Sequence, residues 1–291
     1  MTAAGILLVD KPAGPTSHDL VQRVRRLAHT RRVGHAGTLD PAATGLLLLG
    51  VGPATRLLTA LTGLPKTYTA TIRLGLATTT DDAEGEAVGP ELPVTGEVLA
   101  RVPAAMAALT GEIDQVPSSV SAVHVDGRRA HELVREGVEV TLPSRRVTVS
   151  RFALLEQRGS LLDVVVDCSS GTYIRALARD LGAALGVGGS LTALRRTRIG
   201  PFRVEDAEEP AEPLALRTPA EIASTLFPAV HLDEARTLAL RQGKRIPVPE
   251  LPDADTAAAL APDGSLVGLA RIAGGTATVL LNLPAPEGAA A

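Results

Sequence analysis

Hydrophobic and polar positions change their period several times along the chain, and each change predicts an element. Gly5 to Val9 is a short unbroken apolar run, which predicts a strand. Thr16 or Ser17 can cap a helix in which Leu20, Val21, Val24, Leu27 and Ala28 recur at the 3.6-residue period. A second apolar run, Leu46 to Val51, predicts a buried strand. Thr67 to Leu76 alternates, with Tyr68, Ala70, Ile72 and Leu74 on one face and Thr67, Thr69, Thr71 and Arg73 on the other, the pattern of a half-buried strand. Thr78 to Gly89 is acidic and polar and predicts a loop. Gly96 to Leu109 has helical spacing despite Pro103. Val120 to Val125 predicts a strand, Arg128 to Glu136 a short helix, and Val147 to Leu155 with Leu161 to Val166 a pair of strands joined around Gly159. In the helix predicted from Thr172 to Leu185, Ile174, Leu177, Ala178, Leu181 and Leu185 form the apolar stripe, and Gly186 to Gly189 ends it.

Strands interspersed with helices, without strict alternation, point to an α+β class with a mixed, largely antiparallel central sheet flanked by helices. Glu205 to Pro219 is rich in Pro, Glu and Ala and suits a linker or surface excursion. Beyond it, Leu238 to Gly243, Thr256 to Leu260, Leu266 to Ile272 and Thr276 to Leu283 are short apolar pieces divided by turns such as Pro262-Asp263-Gly264, the makings of a small β-rich barrel. Pro284 to Ala291 is expected to fray. The organisation expected is therefore a main domain over 1–204, a linker or excursion over 205–228 and a small C-terminal domain over 229–291.

With 291 residues, 45% of them hydrophobic, the chain has enough apolar side chains for a sizeable core. The single cysteine, Cys168, leaves no intramolecular disulfide and no cysteine metal cluster, which suits a reducing cytoplasm. Met1 to Asp10 lacks a basic n-region, and nowhere do 18 apolar residues run together, so secretion and membrane insertion are not expected. The formal net charge is −3, but it is unevenly spread. Residues 205–291 hold 13 acids and 6 bases, a balance of −7, which leaves +4 on residues 1–204. Two arginine clusters stand out: Arg23, Arg25, Arg26, Arg31 and Arg32, then Arg175, Arg179, Arg195, Arg196, Arg198 and Arg203. Either is suited to phosphates.

The densest chemistry lies in Gly34-His35-Ala36-Gly37-Thr38-Leu39-Asp40-Pro41-Ala42-Ala43-Thr44-Gly45. Pro41 disfavours helical backbone at Asp40, so the carboxylate is displayed from a turn. The glycines allow positive φ or a close approach beside His35. This segment resembles the GHxGxLDPxATG motif of the TruB family of tRNA pseudouridine synthases, in which the aspartate is catalytic. Four further segments match that family in order: Asp10-Lys11-Pro12-Ala13-Gly14-Pro15-Thr16-Ser17, Lys66-Thr67-Tyr68, Cys168-Ser169-Ser170-Gly171-Thr172-Tyr173-Ile174-Arg175 and Leu194-Arg195-Arg196-Thr197. Together they span residues 5 to 203.

The resemblance implies a pseudouridine synthase fold with a C-terminal domain similar to the PUA fold, acting on uridine 55 in the T stem-loop of tRNA. It names Asp40 as the catalytic residue, Arg175 as the cation beside it, Tyr68 and Tyr173 as rings around the uracil, Leu194 as an apolar wall and His35 as the side chain that fills the place of a flipped-out base. The isomerisation breaks the bond from C1′ to N1, turns the base and joins C5 to C1′, which calls for no metal and no cofactor. Attack on C1′, removal of the 2′ proton and addition to C6 all remain open to Asp40. The expected enzyme is a cytoplasmic monomer. Arg179, one turn beyond Arg175, is expected on the helix surface. The chain departs from the family at His124 and His131, where a lysine and a tyrosine are usual. Two rivals from other classes are a non-catalytic tRNA-binding protein on the same scaffold and a glycosidase-like hydrolase. The hydrolase would need two facing carboxylates, and Asp81, Asp82 and Glu84 carry no matching motif.

Overall fold

A computed structural model describes residues 4–118, 124–125, 128–129 and 142–284. In chain order its elements begin with β1 (Gly5–Lys11), α1 (Ser17–Leu27), β2 (Val33–His35), β3 (Thr44–Val51), α2 (Leu58–Thr62), β4 (Lys66–Leu74), α3 (Gly96–Ala108) and β5 (Gly111–Gln115). They continue with β6 (His124–Val125), β7 (Arg128–Arg129), β8 (Arg145–Arg158), β9 (Leu161–Cys168), α4 (Ile174–Leu185), β10 (Gly189–Ile199) and β11 (Phe202–Arg203). The last are α5 (Pro219–Leu226), β12 (Ala229–His231), α6 (Glu234–Arg241), β13 (Ile246–Pro247), β14 (Ala254–Leu260), β15 (Leu266–Ala273) and β16 (Thr276–Asn282). The α+β expectation holds. Two corrections are local. Arg128 and Arg129, expected to open a helix, instead form a strand paired with His124 and Val125, and the rest of that stretch, His131 included, lies outside the described residues. Leu238 to Gly243 is the end of a helix and its following turn.

Contacts divide the chain into two compact units. The first comprises residues 1–41, 45–62 and 201–291. Within it, β1 and β2 pair antiparallel with β3. Thr16 caps α1 in a reciprocal box with Asp19, satisfying the helix's first free N–H groups. Leu20, Val21 and Val24 then bury the apolar stripe of α1 against Leu7, Val9, Leu47, Leu49 and Val51. Gly50 lets the segment that follows β3 fold back closely on it, since a Cβ would stand 3.0 Å from the Thr55 Cα. Residues 208–217 run beside β1: Ile6 and Arg217 exchange backbone hydrogen bonds of 2.9 Å, and Leu214 and Leu216 pack on the same core. The C-terminal part is a five-stranded sheet in the order β12-β14-β15-β16-β13, antiparallel except for β12 with β14, around its own core of Leu240, Ile246, Val248, Val267 and Ile272.

The second unit comprises residues 42–44 and 63–200. Its strands run antiparallel throughout, β10 beside β4, β4 beside β9, β9 beside β8 and β8 beside β5. The alternation read along β4 is realised, with Tyr68, Ala70, Ile72 and Leu74 all buried and the threonines between them half-exposed. Helix α4 packs close to the start of β10, because Gly182 and Gly189 face each other with no side chain between them.

Candidate active site

Asp40 lies in the first unit, half-buried, between two residues that are each pinned. On one side the Ser17 hydroxyl, at the start of α1, donates to the Leu39 carbonyl (3.1 Å) and accepts from the Leu39 N–H (2.9 Å). On the other, the Pro41 carbonyl accepts from the Gly14 N–H and from Lys11 Nζ, both at 2.9 Å. Lys11 is fully buried and also donates to the Pro12 carbonyl at 2.9 Å. An ammonium withdrawn from water needs such partners. Gly14 and Gly37 have φ of 105° and 92°, which only glycine adopts readily. The N-terminal motif and the Asp40 motif are thus one structure, a loop whose backbone is fixed on both sides of the carboxylate. His35 closes the short strand β2 opposite Leu49.

The other nominated residues lie in the second unit. Tyr173 is the N-cap of α4, and its side chain makes no capping hydrogen bond. Its place is held by Gln115, whose side-chain oxygen accepts the Tyr173 N–H (2.8 Å) while its amide donates to the Tyr173 carbonyl (3.1 Å). The Arg145 guanidinium stands 5.9 Å from the centre of the Tyr173 ring, at the outer limit of a cation–π contact.

Arg175 follows in the first turn of α4, where the helix dipole disfavours a cation. Two acceptors offset that: Asp82, 3.3 Å from Nη1, and the Thr80 carbonyl at 3.1 Å. Both Arg175 and Asp82 are nearly buried, with side-chain exposures of 8% and 14%. One turn on, Arg179 pairs with Asp81 (3.1 Å) and Asp180 (2.9 Å) and donates to the Val116 carbonyl (2.7 Å). It is a tie between helix and loop and not the surface arginine that its position suggests. Asp81 has a left-handed backbone, φ 60°, fixed by its carbonyl accepting from the Leu191 N–H at 2.9 Å. Burial raises the Asp81 carboxyl above the usual range, with Arg179 acting against it.

Tyr68 is buried on β4, opposite Arg196 of β10 and Val166 of β9. Leu194 is half-buried on β10 opposite Ala70, and its carbonyl accepts from the Thr44 hydroxyl at 3.4 Å. Burial, and then Arg196, pushes the Lys66 ammonium at the head of β4 down to about 8. Burial pushes the Cys168 thiol up to about 11, away from the thiolate range. Among the described residues no three His, Cys, Asp or Glu side chains gather as metal ligands. Gln115 and Arg145 were missed from sequence, and Asp82 was weighed only as a carboxylate of the rival hydrolase. A glutamine at a strand end, an acid in an acidic loop and one arginine among many carry no local signal.

Three family profiles match the chain in succession. They are described as TruB family pseudouridylate synthase (N terminal domain), over residues 25–174; tRNA pseudouridylate synthase B C-terminal domain, over 175–212; and tRNA Pseudouridine synthase II, C terminal, over 227–284. A protein of Leifsonia xyli subsp. xyli named tRNA pseudouridine synthase B is 56% identical over 298 residues, covering 99% of each chain. One of the same name from Arthrobacter sp. is 54% identical over 301 residues, covering 98% of each. Among solved structures, a chain of "Crystal Structure of a Cbf5-Nop10-Gar1 Complex" superposes with a TM-score of 0.70 at 25% identity, covering 97% of this chain and 84% of that one. A chain of "Structure of H/ACA RNP bound to a substrate RNA containing 2'-deoxyuridine" gives 0.71 at 24%, covering 97% and 86%, a likeness of fold.

Proposed function

This chain belongs to the TruB family of pseudouridine synthases, and from that premise we propose that it isomerises uridine 55 in the T arm of tRNA, with Asp40 as the catalytic carboxylate. The observation that carries the reading is the cradle of Asp40. Lys11, Gly14 and Ser17 hold the residues on either side of it, so the backbone that carries the carboxylate is fixed before a substrate arrives, which is where positioning lowers a barrier.

In this reading the target nucleotide is turned out of the RNA stack and Tyr68 and Tyr173 receive the uracil between their rings, while His35 fills the vacated place. Leu194 forms an apolar wall that excludes water. Arg175, itself oriented by Asp82 and the Thr80 carbonyl, is the cation that the family resemblance nominates for the site. Asp40 then acts at C1′, at the 2′ proton or at C6. The C1′–N1 bond breaks, the base turns, C5 bonds to C1′, the proton on C5 leaves to solvent and N1 takes one up, so the product is an isomer of the substrate. No electrons are exchanged with a redox partner. The reading extends to a cytoplasmic monomer with a C-terminal domain similar to the PUA fold. Cys168 is a free, buried thiol, and no described helix is long and apolar enough to cross a membrane.

Release of tritium from a tRNA transcript labelled at C5 of uridine tests the reaction, because the new C–C bond expels that hydrogen. Wild-type protein is expected to release one equivalent per tRNA, and a transcript with cytidine at position 55 is expected to give none. Asp40→Asn is expected to abolish release and to bind the same tRNA within a few-fold of wild type. Full release by Asp40→Asn would overturn the assignment, and binding without release by the wild type would favour a non-catalytic RNA binder.

A further inference from the structure

The first arginine cluster is divided by the structure. Arg23 points away to Glu209 (2.9 Å) and the Pro210 carbonyl (2.8 Å). Arg25, Arg26 and Arg31 instead join Gln22, His29 and Thr30 around an open concavity of about 580 Å³ at the C-terminal end of α1. Its lining holds no carboxylate and no Phe, Tyr or Trp ring. Arg25 turns inward and donates to the Val33 carbonyl at 3.3 Å. Arg26 and Arg31 are exposed, and among the described residues neither makes an ion pair.

The helix end explains why the cations face outward. The last carbonyls of α1 are already bonded by its own C-cap: the His29 N–H donates to the Arg26 carbonyl (3.3 Å) and the Thr30 N–H to the Arg25 carbonyl (3.2 Å). The guanidinium groups are therefore not needed to satisfy them. His29 holds the left-handed conformation, φ 48°, that glycine ordinarily fills at this position. A chain with 28 glycines elsewhere keeps a ring on the rim here.

We propose that this concavity is a docking site for the phosphate backbone of the substrate RNA, remote from the reacting nucleotide. Unopposed arginines in a hollow without carboxylates match successive phosphates, and without an aromatic platform the hollow suits a backbone better than a free nucleotide, whose base would lie unstacked. The α1 helix sets its place. Ser17 at the first turn holds Leu39, next to Asp40, and 11 residues of helix at 1.5 Å each put the concavity about 16 Å further along. The contact would thus lie several nucleotides from the target uridine. This inference rests on the RNA-modifying reading given above.

Titration of a fluorescent tRNA transcript with the full chain at several salt concentrations tests the proposal. Arg26→Ala/Arg31→Ala is expected to weaken binding roughly ten-fold near physiological salt and to lower the slope of log affinity against log salt by about 1.5. Arg23→Ala, which removes an arginine already paired with Glu209, is expected to bind like wild type. A double variant with unchanged melting temperature, affinity within two-fold and an unchanged slope would overturn the proposal. So would an equal loss in Arg23→Ala, since charge alone would then be responsible. Tritium release by the wild type, measured on the same transcript, reports on the catalytic reading separately, because the docking site is judged only by differences in binding.

Discussion

Gln115 exchanges both of its hydrogen bonds with the backbone of one residue, Tyr173, 58 positions away, and it is fully buried. Gln115→Leu leaves the Tyr173 N–H without a partner at the start of α4, while the Tyr173 carbonyl keeps the Leu177 N–H at 3.2 Å. A loss of about 1–3 kcal/mol in urea denaturation is expected, together with slower tritium release, since Tyr173 and Arg175 share that turn. A second residue has a pH signature. Burial and Arg196 lower the Lys66 ammonium from 10.5 to about 8. Between those values the unfolded chain carries a proton that the folded protein lacks, so stability rises with pH across the window and is flat below it. Relative to Lys66→Met, the wild type is expected to gain about 2 kcal/mol between pH 7 and pH 10, read from urea midpoints at both. A constant difference would refute the lowered value.

At the scale of elements, packing of α4 on β10 depends on two glycines. A Cβ on Gly182 would stand 2.1 Å from the Gly189 nitrogen and 2.2 Å from the Gly188 carbonyl carbon, backbone that cannot step aside. Gly182→Ala is expected to cost about 3 kcal/mol or more. Gly186→Asn, at a C-cap with φ 77° and open space around it, should cost under about 1 kcal/mol. Thermal or urea unfolding of the two variants checks the contrast. Strand β4 and helices α1 and α4 were legible because their periods of 2 and 3.6 are local and their burial follows the same stripe. Arg128 and Arg129 misled because their neighbours have no clear period, and their strand exists only by pairing with His124 and Val125. The stretch after Glu205 suits a linker or a surface excursion by its composition, and its backbone bonds to β1 through Glu208 and Arg217. Composition records flexibility of the isolated chain, and an open strand edge can override it.

For the molecule as a whole, a net charge of −3 conceals +4 on residues 1–204. Because phosphates respond to local cations, tRNA affinity is expected to fall steeply with salt despite the acidic total, by about 10³-fold between 50 and 200 mM if six or more phosphates are contacted. Fluorescence titration at those salts checks it, and a flat profile would exclude a phosphate-dominated interface. The sequence by itself determined the periodic elements, the α+β class and the turn that displays Asp40, because each depends on neighbours within a few residues. Tertiary structure alone decided what holds the nominated residues and their neighbours: Lys11 on the Pro41 carbonyl, Gln115 on Tyr173, Asp82 on Arg175. Those pairs lie tens of residues apart, and hydrogen bonds need partners within about 3 Å. Only strand register and helix packing bring them there, and no local propensity encodes either.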